Sequence, residues 1–274
     1  MSNSKAQKLK GVTESLLLPL YIRAVETQRP DALIKDEDAL ALVRTLELDE
    51  AYFSKAQVSE EVQISILMRN REFDRIARDF LARCPDTVVI HIGCGLDTRF
   101  GRLDNGQLEW YDLDLPEVIE LRRELIGGGG DRYHLLGCSV MDTSWMDTVP
   151  NNPTRAYLFL AEGVFMFFDQ AQVKWLVLEL MHRFPGAELA FDAFSPFYVW
   201  ANNRRVARSK VGVRANWAIR QPREPESWAE GIRLLKEWYP FLEPEPRLAH
   251  IRWVRFLPLL SKTTGIFYYL LGKV

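Results

Sequence analysis

No stretch of this chain approaches the ~20 consecutive apolar residues that a membrane-crossing helix needs. Its longest apolar runs, around Leu16–Leu20 and Gly265–Leu271, suit a buried core, and Met1–Gly11 is polar and lysine-bearing. Neither sign of charge dominates: a net charge of −2 gives no general drive toward nucleic acid or a membrane surface. The three cysteines, Cys84, Cys94 and Cys138, are an odd number without metal-ligand spacing, so reduced thiols and a cytoplasmic location are expected. The four histidines contain no H-x-x-x-H pair, and no metal is expected. There is no internal repeat. The single low-complexity patch, Gly127–Gly130, suits a loop tip because no strand runs directly into it.

What is present is a globular chain of 274 residues, of ordinary hydrophobic and charged content and long enough for one large domain. Its centre is Val88–Arg99. Val88-Val89-Ile90-His91-Ile92 is almost entirely β-branched and predicts a short buried strand. Gly93 and Gly95 then remove two Cβ atoms where that strand ends, the place where open α/β sheets bind ligands. By itself, such a turn is equally consistent with a plain chain reversal.

Residues 13–83 read as helices, from the spacing of Ala39, Leu40, Leu42, Val43 and Leu46 and of Val62, Ile66, Phe73, Ile76, Ala77 and Phe80. Further strands are expected over Leu108–Leu113, Tyr133–Cys138, Ala156–Ala161, Glu188–Asp192 and Ile266–Leu271. Pro116 opens one helix, and Asp169 caps another that Pro185-Gly186 stops. Phe194–Pro225 is rich in aromatics, asparagine and arginine with weak periodicity, and reads as a lid whose Phe197, Tyr198, Trp200 and Trp217 could wall an acceptor pocket or form lid core. Gly231–Trp238 is open between helix and strand, and Leu248–Leu260 reads as a helix. The pattern predicts a doubly wound α/β domain with a mostly parallel sheet, whose last strand returns antiparallel at the edge. Its parts are a helical cap (1–83), a cofactor-binding core (84–193), the lid (194–230) and C-terminal strands with a helix (231–274).

An acid at the end of the second strand, roughly 20 residues after a glycine turn, is where nucleotide folds bind ribose hydroxyls. Asp112 and Asp114 both qualify, and Asp114 could instead cap the next helix. Glu162 ends the fourth strand, where a charge needs either a partner or a cationic ligand. Thr98 stands where a dinucleotide fold has its third glycine, and Asp97 would crowd two phosphates. A nucleoside bearing an amino-acid tail, such as S-adenosylmethionine, suits this loop better than NAD.

Ile92-Gly93-Cys94-Gly95-Leu96-Asp97-Thr98-Arg99 with Arg102-Leu103, Trp110 through Pro116, and Ala161-Glu162-Gly163-Val164-Phe165 resemble the leucine carboxyl methyltransferase family, in its bacterial polyketide carboxyl O-methyltransferase branch. The resemblance covers nearly the whole chain, including the helix start at Asp36–Leu40. It implies a class I methyltransferase fold with a seven-stranded sheet, S-adenosylmethionine as cofactor and a small-molecule acceptor methylated on a carboxyl rather than a hydroxyl group. It also implies that Arg69 and Arg71 hold the methionine carboxylate. The backbone of Gly93 and Gly95 would line the methionine moiety, with Cys94, Asp97 and Arg99 also among the cofactor-binding residues. Asp114 or Asp112, about Leu113, would take the ribose hydroxyls, and Glu162 would face the methionine amine or the acceptor. At the adenine edge this chain has Ser139-Val140 where the family commonly has Asp-Leu. The N-terminal lysine of eukaryotic members has no counterpart, which weighs against the alternative of a protein C-terminus as acceptor. No residue is singled out as a general base; His134 and His182 are not expected to serve.

Overall fold

Thr87–Ile92 (β1) lies in the interior of a seven-stranded sheet, with all six residues buried. The computed structural model describes residues 14–48, 58–152, 154–209 and 214–272, so parts of the expected cap and lid, including Met1–Gly11, lie outside the described residues. The other strands are Glu109–Asp114 (β2), Tyr133–Gly137 (β3), Ala156–Ala161 (β4), Ala187–Phe194 (β5), Ile232–Trp238 (β6) and Thr264–Leu271 (β7). Their order is β3-β2-β1-β4-β5-β7-β6, with β1 to β5 parallel and β7 antiparallel to both neighbours.

Alternation along the strands builds a core on each face. Val88, Ile90 and Ile92 of β1 and Tyr157, Phe159 and Ala161 of β4 pack on one side, with Val173, Leu176, Val177 and Leu180 of helix Gln170–Arg183. Val89, Leu158 and Leu160 pack on the other, with Phe73, Ile76, Ala77 and Phe80 of helix Glu60–Arg83. The expected Asp169 cap is a full capping box with Gln172.

In chain order the helices are Glu14–Thr27 (α1), Glu37–Thr45 (α2), Glu60–Arg83 (α3), Arg99–Leu103 (α4), Pro116–Leu125 (α5), Trp145–Thr148 (α6), Gln170–Arg183 (α7), Pro196–Ser209 (α8) and Pro258–Ser261 (α9). Leu17, Leu20 and Ala24 of α1 and Ala39, Leu42 and Val43 of α2 close around Leu96, which fastens this helical pair onto the loop after β1. No described helix is long and apolar enough to cross a membrane.

Three expectations change. The final strand, β7, lies between β5 and β6 rather than at the edge. Gly231–Trp238 resolves into the edge strand β6, whose exposed Arg233 and Leu235 alternate with more buried neighbours. Leu248–Leu260 forms successive 3₁₀ turns over Pro246–Phe256 and then α9, because Pro246 and Pro258 each start a new turn. In addition, the lid opens with a regular helix, α8.

Candidate active site

The carboxyl ends of β1, β2, β4 and β5 open into a cavity of about 770 Å³, closed from the side by α1, α3 and the segments flanking β7. Its floor is the turn after β1. Gly93 and Gly95 have φ of 65° and 51°, which side chains rarely adopt. A Cβ on Gly93 would collide with Val164, and one on Gly95 would stand 3.1 Å from Leu16 Cδ2. The turn therefore needs glycine at both positions, and bare backbone faces the cavity there.

Beneath this floor lies a buried ionic network. Arg99 is fully buried and donates from Nε to Asp74 Oδ1 at 2.7 Å, from Nη2 to Glu162 Oε2 at 2.6 Å and from Nη1 to His91 Nε2 at 3.1 Å. Because Nε2 of His91 accepts, the ring proton is assigned to Nδ1, which lies 3.3 Å from Asp112 Oδ1. Arg102 reaches Asp74, Asp36 and Asp97, while Arg23 donates to Asp36 and to the Leu96 carbonyl. Burial alone would raise the Asp97 pKa, but Arg99, Arg23 and Arg102 outweigh it and hold that carboxyl well below its usual range. From α5, Arg122 donates to the carbonyls of Gly95 at 2.7 Å and Asp97 at 2.8 Å.

This network sorts the expected residues. Asp112 is almost fully buried, bound by Arg122, Trp110 Nε1 and the Tyr133 hydroxyl, so it braces the floor and does not line the cavity. Asp114 does line it. Its Oδ2 accepts from the Gly95 N–H and its Oδ1 from the Leu115 N–H, both at 2.8 Å, and each oxygen keeps a lone pair. Burial pushes its pKa up, only partly offset by those two N–H groups. Leu115, not Asp114, occupies the cap position of α5.

Arg69 lines the cavity; Arg71, two positions on, does not. The Nε of Arg69 donates to Glu162 Oε1 at 2.9 Å and its Nη1 to Asp192 Oδ2 at 2.8 Å, and Nη2 has no partner among the described residues. Asp192 also accepts from the Gly163 N–H at 2.6 Å. Burial raises the Asp192 pKa despite Arg69, whereas Arg69 and Arg99 overcome burial at Glu162 and lower its pKa. Asn70 donates to Glu162 from Nδ2, and its Oδ1 has no partner among the described residues. Cys94, Leu113, Ser139 and Val140 line the cavity as expected, with Cys138 beside them, while Arg99 lies below it.

Of the four lid aromatics only Tyr198 reaches the cavity. Trp200 is 57% exposed and stacks on Phe197, away from the lining. Trp217 packs between Phe165 and Phe191 in the core. The apolar wall of the cavity is instead made by Met166, Phe167, Phe168, Phe194, Phe241 and Ile266. Their signal in the sequence was only an unplaced concentration of phenylalanine. His134 and His182 lie outside the lining, and no described cluster could hold a metal.

The family model for leucine carboxyl methyltransferases matches residues 17–181. The chain belongs to this family. Membership sets aside the NAD-dependent reading. Among relatives, the tetracenomycin polyketide synthesis O-methyltransferase of Streptomyces glaucescens is 35% identical, with 84% of each chain covered. An S-adenosyl-L-methionine-dependent methyltransferase of Gibberella zeae is 28% identical over 93% of this chain and 92% of that one. Solved structures share the fold: a DUF574 family protein from Streptomyces avermitilis matches with a TM-score of 0.60 at 14% identity, covering 96% of this chain and 99% of that one. Magnesium protoporphyrin IX methyltransferase from Synechocystis, solved with S-adenosylhomocysteine, matches at 0.50 and 12% identity, covering 84% of this chain and 93% of that one.

Proposed function

We propose that this methyltransferase acts on the carboxylate of a small apolar, polyketide-like acid, with S-adenosylmethionine as the methyl donor. The observation that carries this reading is an acceptor wall without a general base. Among the described residues His91 is the one imidazole in the lining, and it lies under the floor bound to Arg99. Of the carboxyls in the lining, Glu162 and Asp97 are tied up by arginines that lower their pKa, and Glu61 is held at about 2, chiefly by its hydrogen bond to His250. A carboxylic acid is already ionised at neutral pH and needs no base, whereas a hydroxyl acceptor would.

The floor fits the donor. The two left-handed glycines leave a cradle that a Cβ would fill, and the spare lone pairs of Asp114 suit a pair of ribose hydroxyls. Arg69, braced by Glu162 and Asp192, offers its Nη2 donors to the methionine carboxylate. Glu162 accepts one N–H at Oε2 and keeps a lone pair there for the methionine amine. Ser139 and Val140 border the adenine end. When bound, S-adenosylmethionine supplies an electrophilic methyl group on its sulfonium sulfur. The chain contributes position and dryness: the floor is held by paired charges, and Phe167, Phe168, Phe194, Tyr198 and Phe241 exclude the water that would solvate an incoming carboxylate.

Labelled-methyl transfer across aromatic carboxylic acids, the matching phenols and a peptide ending in leucine tests this. Methyl esters should form on the acids, with kcat/KM flat between about pH 6 and 9 because no protein base titrates. Turnover of phenols alone, or of the peptide alone, would overturn the reading.

A further inference from the structure

The near-neutral charge of the whole chain conceals one lopsided segment. From Pro246 onward there are Arg247, Arg252, Arg255, Lys262 and Lys273 and no aspartate or glutamate. The chain leaves the cavity wall at Phe241, passes through the 3₁₀ turns and α9, and rejoins the wall at Thr263. Between those points its exposed side chains are mostly apolar, with Arg252 and Arg255 among them. Phe256 is 74% exposed, Leu259 61%, Trp253 56% and Leu257 45%, four of the twelve exposed large hydrophobic side chains among the described residues. They fall within seven positions, which makes a contiguous ridge rather than the scattered singles normal for a surface.

The basic groups divide into two sets. Arg247 is committed to Glu26 and Glu245, His250 to Glu61, and Lys262 faces Glu237. Arg252 and Arg255 have no acidic partner among the described residues, and Arg255 lies 5.3 Å over the Phe256 ring. The His250 contact ties the ridge to Glu61, which with half-exposed Val62 borders the cavity.

We propose that this ridge seats the protein on an anionic phospholipid surface with the cavity mouth beside it. Aromatic and leucine tips flanked by unpaired arginines are what a headgroup and acyl boundary accepts. A second copy fits poorly: a two-fold interface sets a patch against itself, so Arg252 and Arg255 would meet their own copies with no acid on the segment to pair. A protein partner would need a complementary groove for the projecting run Phe256-Leu257-Pro258-Leu259, whereas a lipid boundary needs no matching shape. An apolar acid dissolved in the bilayer would then reach Phe241 and Val62 without crossing bulk water. Although the chain-wide charge predicts no membrane association, this segment departs from that average.

Vesicle flotation of the full chain tests the proposal, comparing phosphatidylcholine alone with phosphatidylcholine containing phosphatidylglycerol. Partitioning is expected only with the anionic lipid, and it should weaken with salt. Arg252→Gln with Arg255→Gln should lower it about 30-fold, at about 1 kcal/mol for each basic residue. Phe256→Glu with Leu259→Glu should lower it at least about tenfold. S-adenosylhomocysteine titration of each variant should match the wild type, which shows that the fold and floor are intact. Neither readout needs methyl transfer, so the result stands apart from the identity of the acceptor. Wild-type protein that stays with the soluble fraction at every composition overturns the proposal. So does a Phe256→Glu, Leu259→Glu variant that floats like wild type, or a dimer dissolved by those substitutions in the absence of vesicle binding.

Discussion

Below the glycine turn, Arg99, Arg102, Asp74, Asp97 and Asp36 satisfy one another almost out of reach of water, whereas across the cavity Phe167, Phe168, Phe194, Phe241 and Ile266 carry no charge at all. The first region is over-determined, each charge having two or more partners, so it can hold only one geometry. The second is held by packing, which tolerates changes of shape when volume is kept. On the proposed function, the floor would recognise one fixed nucleoside and the wall could be fitted to different acceptors within one architecture. Dense pairing does not by itself mean that the floor contributes net stability, because desolvation offsets much of the attraction. What it does provide is sensitivity to the loss of any one member.

The sharpest break is Arg99→Met. Three carboxylates, Asp74, Asp97 and Glu162, would lose a partner in a buried site, and urea unfolding should show a loss of about 3–5 kcal/mol. A loss under about 1 kcal/mol would mean that the network is redundant. Acid offers the next test. Arg122, with His91 beside it, overcomes burial to hold Asp112 at about 2, below its ordinary 3.8. A depressed carboxyl contributes stability above the unfolded value and loses it as pH falls through the folded one. Asp112 should thus account for about 2 kcal/mol of the decline in unfolding free energy between pH 4 and 2, and Asp112→Asn should remove that share while the part due to Asp74, Asp97 and Glu162 stays.

Asp114→Asn leaves the brace alone and alters a cavity-facing oxygen. Its NH2 must face either the Gly95 or the Leu115 N–H, so unfolding should cost about 1 kcal/mol, while calorimetry should show S-adenosylhomocysteine binding weakened by about 1–3 kcal/mol. Weak binding with Asp112→Asn and normal binding with Asp114→Asn would reverse the roles assigned here. The smallest effect belongs to the lid. Trp200→Ala should change stability and cofactor affinity by less than about 0.5 kcal/mol, as expected for an exposed side chain outside the cavity. By contrast, Tyr198→Ala should raise KM for the acceptor while leaving S-adenosylhomocysteine affinity in place.

What was legible in the sequence follows the range of the interactions. β1, β4 and α7 were readable because a buried β-branched run, a short buried run of leucine and aromatics and an Asp169 cap are local signals. The place of β7 was not, because strand order is set by crossovers that no residue of β7 encodes. Asp114, the two glycines and Ser139, which line the cavity, were marked by their position in the motif, and Arg69, which lines it too, by the family resemblance alone. Arg99 was misread as a cavity residue because it follows the glycines closely, although α4 turns it inward toward Asp74. Asp192 and Asn70 gave no signal. Their partners lie across the chain, Asp192 being 123 residues from Arg69 and Asn70 92 residues from Glu162.

The interior position of β7 has a consequence for how the protein is made. Synthesis delivers the chain from its N-terminus, and β1 to β5 can pair in the order in which they emerge. β6 cannot join them, because the strand that links it to β5 is the last of the seven to be made. The floor around the glycine turn can therefore assemble on the ribosome, while the edge of β5, already buried in the finished fold, stays open as a hydrogen-bonding template until Thr264–Leu271 arrives. During that interval, the nascent chain is most exposed to pairing with the wrong strand.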